Sequence, residues 1–141
     1  MDESLISQIC KRFSIENTTA SMLSPLTLAY IGDAVFELVI RSVAVSTMNT
    51  SANELHKYTS SIVKASTQAE FVDRIKNLLT EDERNILKRG RNAKSHSTAK
   101  NSTMHDYRRA TGLEALIGYL YLNGQMDRLI ELIYEGMKED L

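Results

Sequence analysis

The sequence predicts an all-α protein with a single domain spanning residues 1–141. One proline and six glycines occur in 141 residues, and we expect the glycines to stand mostly near the ends of segments. Apolar positions recur at helical spacing, and no alternation of apolar and polar residues is long enough to compete as a strand. About seven helices are expected, at residues 3–14, 25–45, 52–60, 62–79, 81–92, 103–122 and 125–139.

Capping patterns set the expected starts of these helices. Ser24-Pro25 places an N-cap residue before a proline at the first helical position. An Asn-Gly turn at residues 123–124 separates the last two helices. Three further starts follow the capping-box pattern, namely SANE at 51–54, TEDE at 80–83 and, more weakly, TMHD at 103–106.

The composition predicts a cytoplasmic protein without a membrane segment. Cys10 is the only cysteine, so no intramolecular disulfide can form, and a reducing compartment suits the chain. No apolar run approaches the roughly 18–20 residues that span a bilayer. The first thirteen residues carry acids rather than the basic start of a leader peptide.

The charge is unevenly distributed along the chain. The net charge is −1, yet residues 84–109 contain eight Lys or Arg and one acid, Asp106. The remaining residues contain nine bases and seventeen acids. A local excess of this size favours a polyanionic partner such as nucleic acid, and a solvated basic loop is the alternative.

The stretch LAYIGDAVFELVIR at 28–41 places Gly32 and Asp33 inside an apolar helix. Glycine weakens a helix by roughly 0.5–1 kcal/mol relative to alanine, and a buried aspartate needs a partner or a metal. A helical projection predicts one apolar face and a second, mainly apolar one, with Asp33 in a cleft and Glu37 one turn on. An aspartate exposed on a helix edge is the alternative. The predicted apolar face contains Leu28, Ile31, Val35, Leu38 and Val39.

A second acidic helix is expected at YRRATGLEALIGYLYL, residues 107–122. Glu114 shares its face with small residues, among them Ala110, Thr111 and Gly118. Such neighbours allow the close approach of a backbone, a hydrated metal or a phosphate. A helix contact lined by Ala and Gly, with Glu114 paired to an arginine, explains the pattern equally well.

Three segments together resemble the endonuclease domain of the ribonuclease III family: YIGDAVFE, LKRGRNAKS and TGLEALIGYLYL. They occur in the order of that family and near its spacing, over about residues 24–123. Two acids that the family usually carries are replaced, by Ala29 four residues before Asp33 and by Thr111 three residues before Glu114. The chain also has no room for a double-stranded-RNA-binding domain. In both respects it resembles the mini-ribonuclease III branch of the family.

This resemblance implies a Mg²⁺-dependent endoribonuclease, with Mn²⁺ as a substitute metal. It implies a homodimer that cleaves double-stranded RNA, in this branch the precursor of large-subunit (23S) ribosomal RNA. Asp33 and Glu114 are the expected catalytic and metal-binding residues, in a site that binds its metal loosely. We expect RNA contacts from Lys88, Arg89, Arg91, Asn92, Lys94, Ser95 and Lys100.

Two other functions remain compatible with the residues. The missing carboxylates favour a catalytically weak or inactive double-stranded-RNA-binding module of the same fold. A helical adaptor, whose basic segment meets an acidic protein, is a weaker possibility. Cys10 and the three histidines lack zinc-ligand spacing, and no glycine-rich phosphate loop is present.

Overall fold

The computed structural model describes residues 4–16, 19–93 and 103–140, which contain seven α-helices and no strand. The predicted all-α class is confirmed. The helices are α1 (Leu5–Arg12), α2 (Pro25–Thr47), α3 (Ala52–Val63), α4 (Ala65–Ile75), α5 (Glu81–Asn92), α6 (Met104–Leu122) and α7 (Met126–Met137). Short 3₁₀ turns lie at Ala20–Met22, Lys76–Leu78 and Lys138–Asp140. No helix in these ranges is long and apolar enough to cross a membrane.

The helix starts predicted from capping patterns are confirmed by their hydrogen bonds. The Ser24 hydroxyl accepts from the Thr27 amide at 3.2 Å, directly before Pro25 at the first position of α2. At the start of α5 the capping box is complete, since Glu83 also accepts from the Thr80 amide at 2.8 Å. The largest differences lie at α3, which continues to Val63, and at α4, which begins at Ala65 and ends at Ile75.

Helix α6 forms the centre of the protein. It packs against α2, α4, α5 and α7, and ten of its residues are buried. Leu113, Leu116, Ile117 and Leu120 are fully enclosed. Since its neighbours cover most of its surface, α6 fixes the positions of the other helices.

Two glycines allow the backbones of α2 and α6 to touch. A Cβ atom on Gly32 would lie 1.7 Å from the Glu114 carbonyl oxygen, and one on Gly118 would lie 2.0 Å from the Leu28 carbonyl oxygen. The expectation that the glycines stand mostly near segment ends holds for only three of the six, because Gly32, Gly112 and Gly118 lie inside helices. Here glycine is required inside the helices because no side chain fits between them.

The buried face of α2 matches the predicted one except at Leu38. Leu38, expected on the apolar face, is 55% exposed, whereas Ala29, Gly32 and Phe36 are buried. The backbone contact at Gly32 turns this row of residues toward α6. A projection that ranks positions by side-chain hydrophobicity places leucine inside before glycine, and so misplaced Leu38, while Leu28 and Val35 are buried as predicted.

We predict that Gly32→Ala lowers the free energy of unfolding by about 2 kcal/mol or more, because the added methyl group must push two backbones apart. Denaturant unfolding of the variant measures the change. Ser46→Ala, at an exposed position near the end of the same helix, is the control and should have little effect. Equal stabilities for wild type and Gly32→Ala would contradict the backbone contact.

Candidate active site

The contact between α2 and α6 brings Asp33 and Glu114 together. Gly32 directly precedes Asp33 and lies against the backbone carbonyl of Glu114 itself. The two carboxyl groups are close enough to interact by hydrogen bonding and charge. Asp33 is exposed in the single chain, so the expectation that it lies in a cleft is wrong. Glu114 is half-buried, and the pair lies at the edge of the protein where a ligand can reach it.

The pKa of Glu114 is raised from its ordinary value of 4.5 to about 8, mainly by burial. The hydrogen bond with Asp33 and the Asp33 charge contribute to this rise, while a hydrogen bond with Gln68 opposes it. Without a cation, Glu114 therefore retains a proton through much of the neutral range. A divalent cation between the two groups would favour the doubly ionised pair.

Gln68 of α4 is the third polar side chain at this position. It is 2% exposed, and its Nε2 donates to the Val63 carbonyl at 2.7 Å. Sequence reasoning missed Gln68, because an isolated glutamine in a helix matches no motif. Only the packing of α4 against α6 shows that it meets Glu114.

The two positions that lack the family acids are buried on the same helices. Ala29 lies one turn before Asp33 and is 8% exposed. Thr111 lies one turn before Glu114, and its hydroxyl donates to the Tyr107 carbonyl at 3.0 Å. Neither position can supply charge, so the site contains two carboxylates.

This donor set is suited to magnesium. Within residues 4–16, 19–93 and 103–140, no group of three or more His, Cys, Asp or Glu side chains could hold a metal. Mg²⁺, however, is commonly bound through one or two carboxylates, with waters and substrate phosphates as the other ligands. Glu37, one turn beyond Asp33, instead pairs with Arg41 at 3.5 Å on the exposed surface.

Four of the predicted RNA-binding residues lie at the end of α5, and all four are exposed: Lys88, Arg89, Arg91 and Asn92. Arg89 also donates to the carbonyls of Ser21 and Leu23, at 3.4 and 3.5 Å. The other three predicted RNA-binding residues lie outside the described residues: Lys94, Ser95 and Lys100.

The basic surface extends beyond α5 to α6 and to Lys76, which directly follows α4. Arg91 lines a cavity of about 330 Å³ together with Lys76, His105 and Arg109. Asp73 lies in the same cavity, and its pKa is lowered, mainly by a hydrogen bond from Arg109. Lys76 lies before the basic block, so its charge could not be assigned to this surface from the sequence.

Residues 26–125 match the family model described as the ribonuclease III domain. The all-α fold and this family match define the class of protein: it is a ribonuclease of the endonuclease type. The chain is 53% identical over 111 residues to a Mini-ribonuclease 3 of Thermoanaerobacter sp. (strain X514), covering 79% of this chain and 78% of the relative. It is 43% identical over 116 residues to the Mini-ribonuclease 3 of Brevibacillus brevis, covering 82% and 87%.

A solved structure of a Fusobacterium nucleatum protein has a similar fold. Its TM-score is 0.77 at 33% identity, and the match covers 85% of this chain and 96% of that one. The chain therefore belongs to the ribonuclease III family, in its Mini-ribonuclease 3 branch. The resemblance deduced from the sequence motifs is confirmed.

The raised pKa of Glu114 predicts the pH dependence of stability in metal-free protein. Between about pH 4.5 and 8 the folded chain retains a proton that the unfolded chain loses, so stability falls as the pH rises. The glutamine side chain of the Glu114→Gln variant cannot titrate, so the free energy of unfolding of this variant should fall less than that of wild type over this range. Urea unfolding in EDTA at several pH values tests this, and equal slopes for the two proteins would contradict it.

Proposed function

We propose that this chain is a Mg²⁺-dependent endoribonuclease that cleaves double-stranded RNA in the cytoplasm. Its proposed substrate is the precursor of large-subunit (23S) ribosomal RNA, which gives it a role in ribosome biogenesis. The observation that carries the proposal is the meeting of Asp33 and Glu114, one carboxylate from each of two helices, in a ribonuclease III-type fold.

Asp33 and Glu114 would hold the magnesium ion, and Mn²⁺ could replace it. When bound, the ion supplies an activated water and stabilises the charge on the phosphate oxygens. The raised pKa of Glu114 means that its carboxyl group ionises less readily without the cation. Asp33 is exposed, so its carboxylate lies on the side of the ion that would face the RNA. Because Ala29 and Thr111 supply no ligands, substrate phosphates must contribute more to assembly of the site than in a four-carboxylate relative.

RNA binding is assigned to the end of α5 and the segment that follows it. Duplex RNA is recognised mainly through phosphates and 2′-hydroxyls rather than base edges. Exposed Lys88, Arg89 and Arg91 can meet phosphates, and Asn92 can hydrogen-bond to the backbone. The same role is proposed for Lys94, Ser95 and Lys100.

A homodimer would place one site against each strand of the duplex. Support comes from an apolar stripe on α2, where Leu26, Tyr30 and Leu38 are 42%, 82% and 55% exposed. Their spacing in multiples of four, with exposed Ala34 between them, places these residues along one side of the helix. Burial of this stripe against a second copy would remove it from water.

The alternative is a double-stranded-RNA-binding module of the same fold with little or no catalysis. The buried, uncharged Ala29 and Thr111 favour it, because they halve the number of carboxylates. Retention of an RNA duplex without cleavage, in the presence of Mg²⁺, would identify this function.

The catalytic assignment predicts that Asp33→Asn and Glu114→Gln each slow cleavage about a thousand-fold, a loss of ~4 kcal/mol of transition-state stabilisation. RNA binding should persist, because the basic residues are unchanged. Single-turnover cleavage of a long duplex with Mg²⁺, alongside a gel-retention assay, measures both quantities. Glu37→Gln removes a nearby exposed carboxylate and should leave the rate close to wild type. Near-normal cleavage by Asp33→Asn would refute the mechanism.

The RNA-binding assignment predicts a change in salt dependence. Replacing Lys88 and Arg91 by alanine should weaken duplex binding and reduce the slope of log affinity against log salt by about one to two. The control replaces Lys57 and Lys138, which pair with acids on or beside their own helices, and removes the same charge elsewhere. Identical slopes in wild type and the Lys88/Arg91 variant would show that these residues do not contact phosphates.

The proposed dimer predicts that wild-type protein sediments as two chains at micromolar concentration. Tyr30→Asp places a charge in the apolar stripe and should give monomers, because burying an unpaired carboxylate is unfavourable. Tyr134→Asp makes the same change at another exposed tyrosine, on α7, and should leave the dimer intact. Wild-type protein that sediments only as a monomer would contradict the proposal.

A further inference from the structure

A single buried polar atom near the two carboxylates has no hydrogen-bond partner among the described residues: Oε1 of Gln68. Gln68 is 2% exposed, so water cannot satisfy this oxygen from the bulk. Leaving such an atom unpaired costs about 1–3 kcal/mol, and native proteins rarely do so without a reason. A nonpolar residue of similar size would avoid the cost, which suggests that the amide has a role beyond packing.

The amide nitrogen of the same side chain has a fixed partner. It donates to the Val63 carbonyl at 2.7 Å, and Val63 is the last residue of α3. Gln68 also lies beside Glu114 and lowers the pKa of that carboxyl group, as a hydrogen bond from an amide to a carboxylate does. The end of α3 therefore fixes the orientation of the Gln68 amide beside Glu114.

We propose that Gln68 is a positioning residue of the metal site: its amide nitrogen holds the Glu114 carboxylate, and its amide oxygen accepts a hydrogen bond from a water bound to the metal. This inference rests on the metal site proposed above for Asp33 and Glu114. Mg²⁺ retains several of its waters when few carboxylates bind it, and each such water has hydrogens to donate.

The uncharged positions 29 and 111 make this role more important. In a site with four carboxylates, the additional acids could accept hydrogen bonds from the bound waters. Here Ala29 has no polar side chain, and the Thr111 hydroxyl donates to the backbone of its own helix. Gln68 is the remaining buried group at the site with a free acceptor.

The test compares metal binding with stability in the Gln68→Met variant, which retains the length of the side chain but removes both hydrogen-bonding atoms. The measurement is the broadening of backbone amide NMR signals around Asp33 and Glu114 as Mn²⁺ is added to RNA-free protein. We expect apparent Mn²⁺ affinity to fall about tenfold or more, as is typical when an outer-shell partner of a metal ligand is lost. The melting temperature without metal should remain within about 3 °C of wild type, since the loss of the bond to Val63 is offset by removal of the unpaired oxygen.

Two controls separate the possible failures. Thr59→Val removes another buried polar group, on α3 and beside Arg41 rather than Glu114, and should leave Mn²⁺ affinity unchanged. Asp33→Asn should abolish the site-specific broadening. If wild type and Asp33→Asn respond alike, the proposed metal site is wrong and this inference falls with it. If the site binds Mn²⁺ but Gln68→Met binds it as tightly as wild type, only the role of Gln68 is refuted.

Discussion

The position of every group in the candidate site depends on the backbone contact between α2 and α6. Gly32 and Gly118 allow the two helices to approach until neither can accept a Cβ atom. The atom that Gly32 meets is the carbonyl oxygen of Glu114, and the residue after Gly32 is Asp33. The structural contact and the carboxylate pair therefore coincide, and both acids stand on helices enclosed by the core rather than on loops. Such support holds functional groups in a narrow range of positions.

The carboxylate pair is unfavourable for the stability of the fold but is needed for the proposed function. Two carboxyl groups in contact, one of them half-buried, disfavour full ionisation, as the raised pKa of Glu114 indicates. Burial of apolar residues around α6, including Leu113, Leu116 and Ile117, provides the free energy that offsets this cost. A cation would remove the repulsion, so the feature that is unfavourable without metal is the one that the proposed chemistry requires.

Local sequence rules predicted the helices and their starts well, because a cap such as Ser24-Pro25 acts within one turn of the chain. The family motifs also indicated which acids to pair. Three features could not be predicted, since they depend on helix orientation rather than on local pattern. Leu38 is exposed because the contact at Gly32 turns α2, Gln68 reaches Glu114 because α4 packs on α6, and Lys76 joins the basic cavity from outside the basic block.

The central claim is that Asp33 and Glu114 share one divalent cation. Crystals grown with Mn²⁺ and measured at an X-ray energy where manganese scatters anomalously test this most directly. The account predicts one manganese peak per chain within about 2.5 Å of a carboxylate oxygen from each residue, at the separation typical of oxygen ligands. A peak bound elsewhere, or an Asp33–Glu114 pair that remains in mutual contact with no manganese between them, would contradict it.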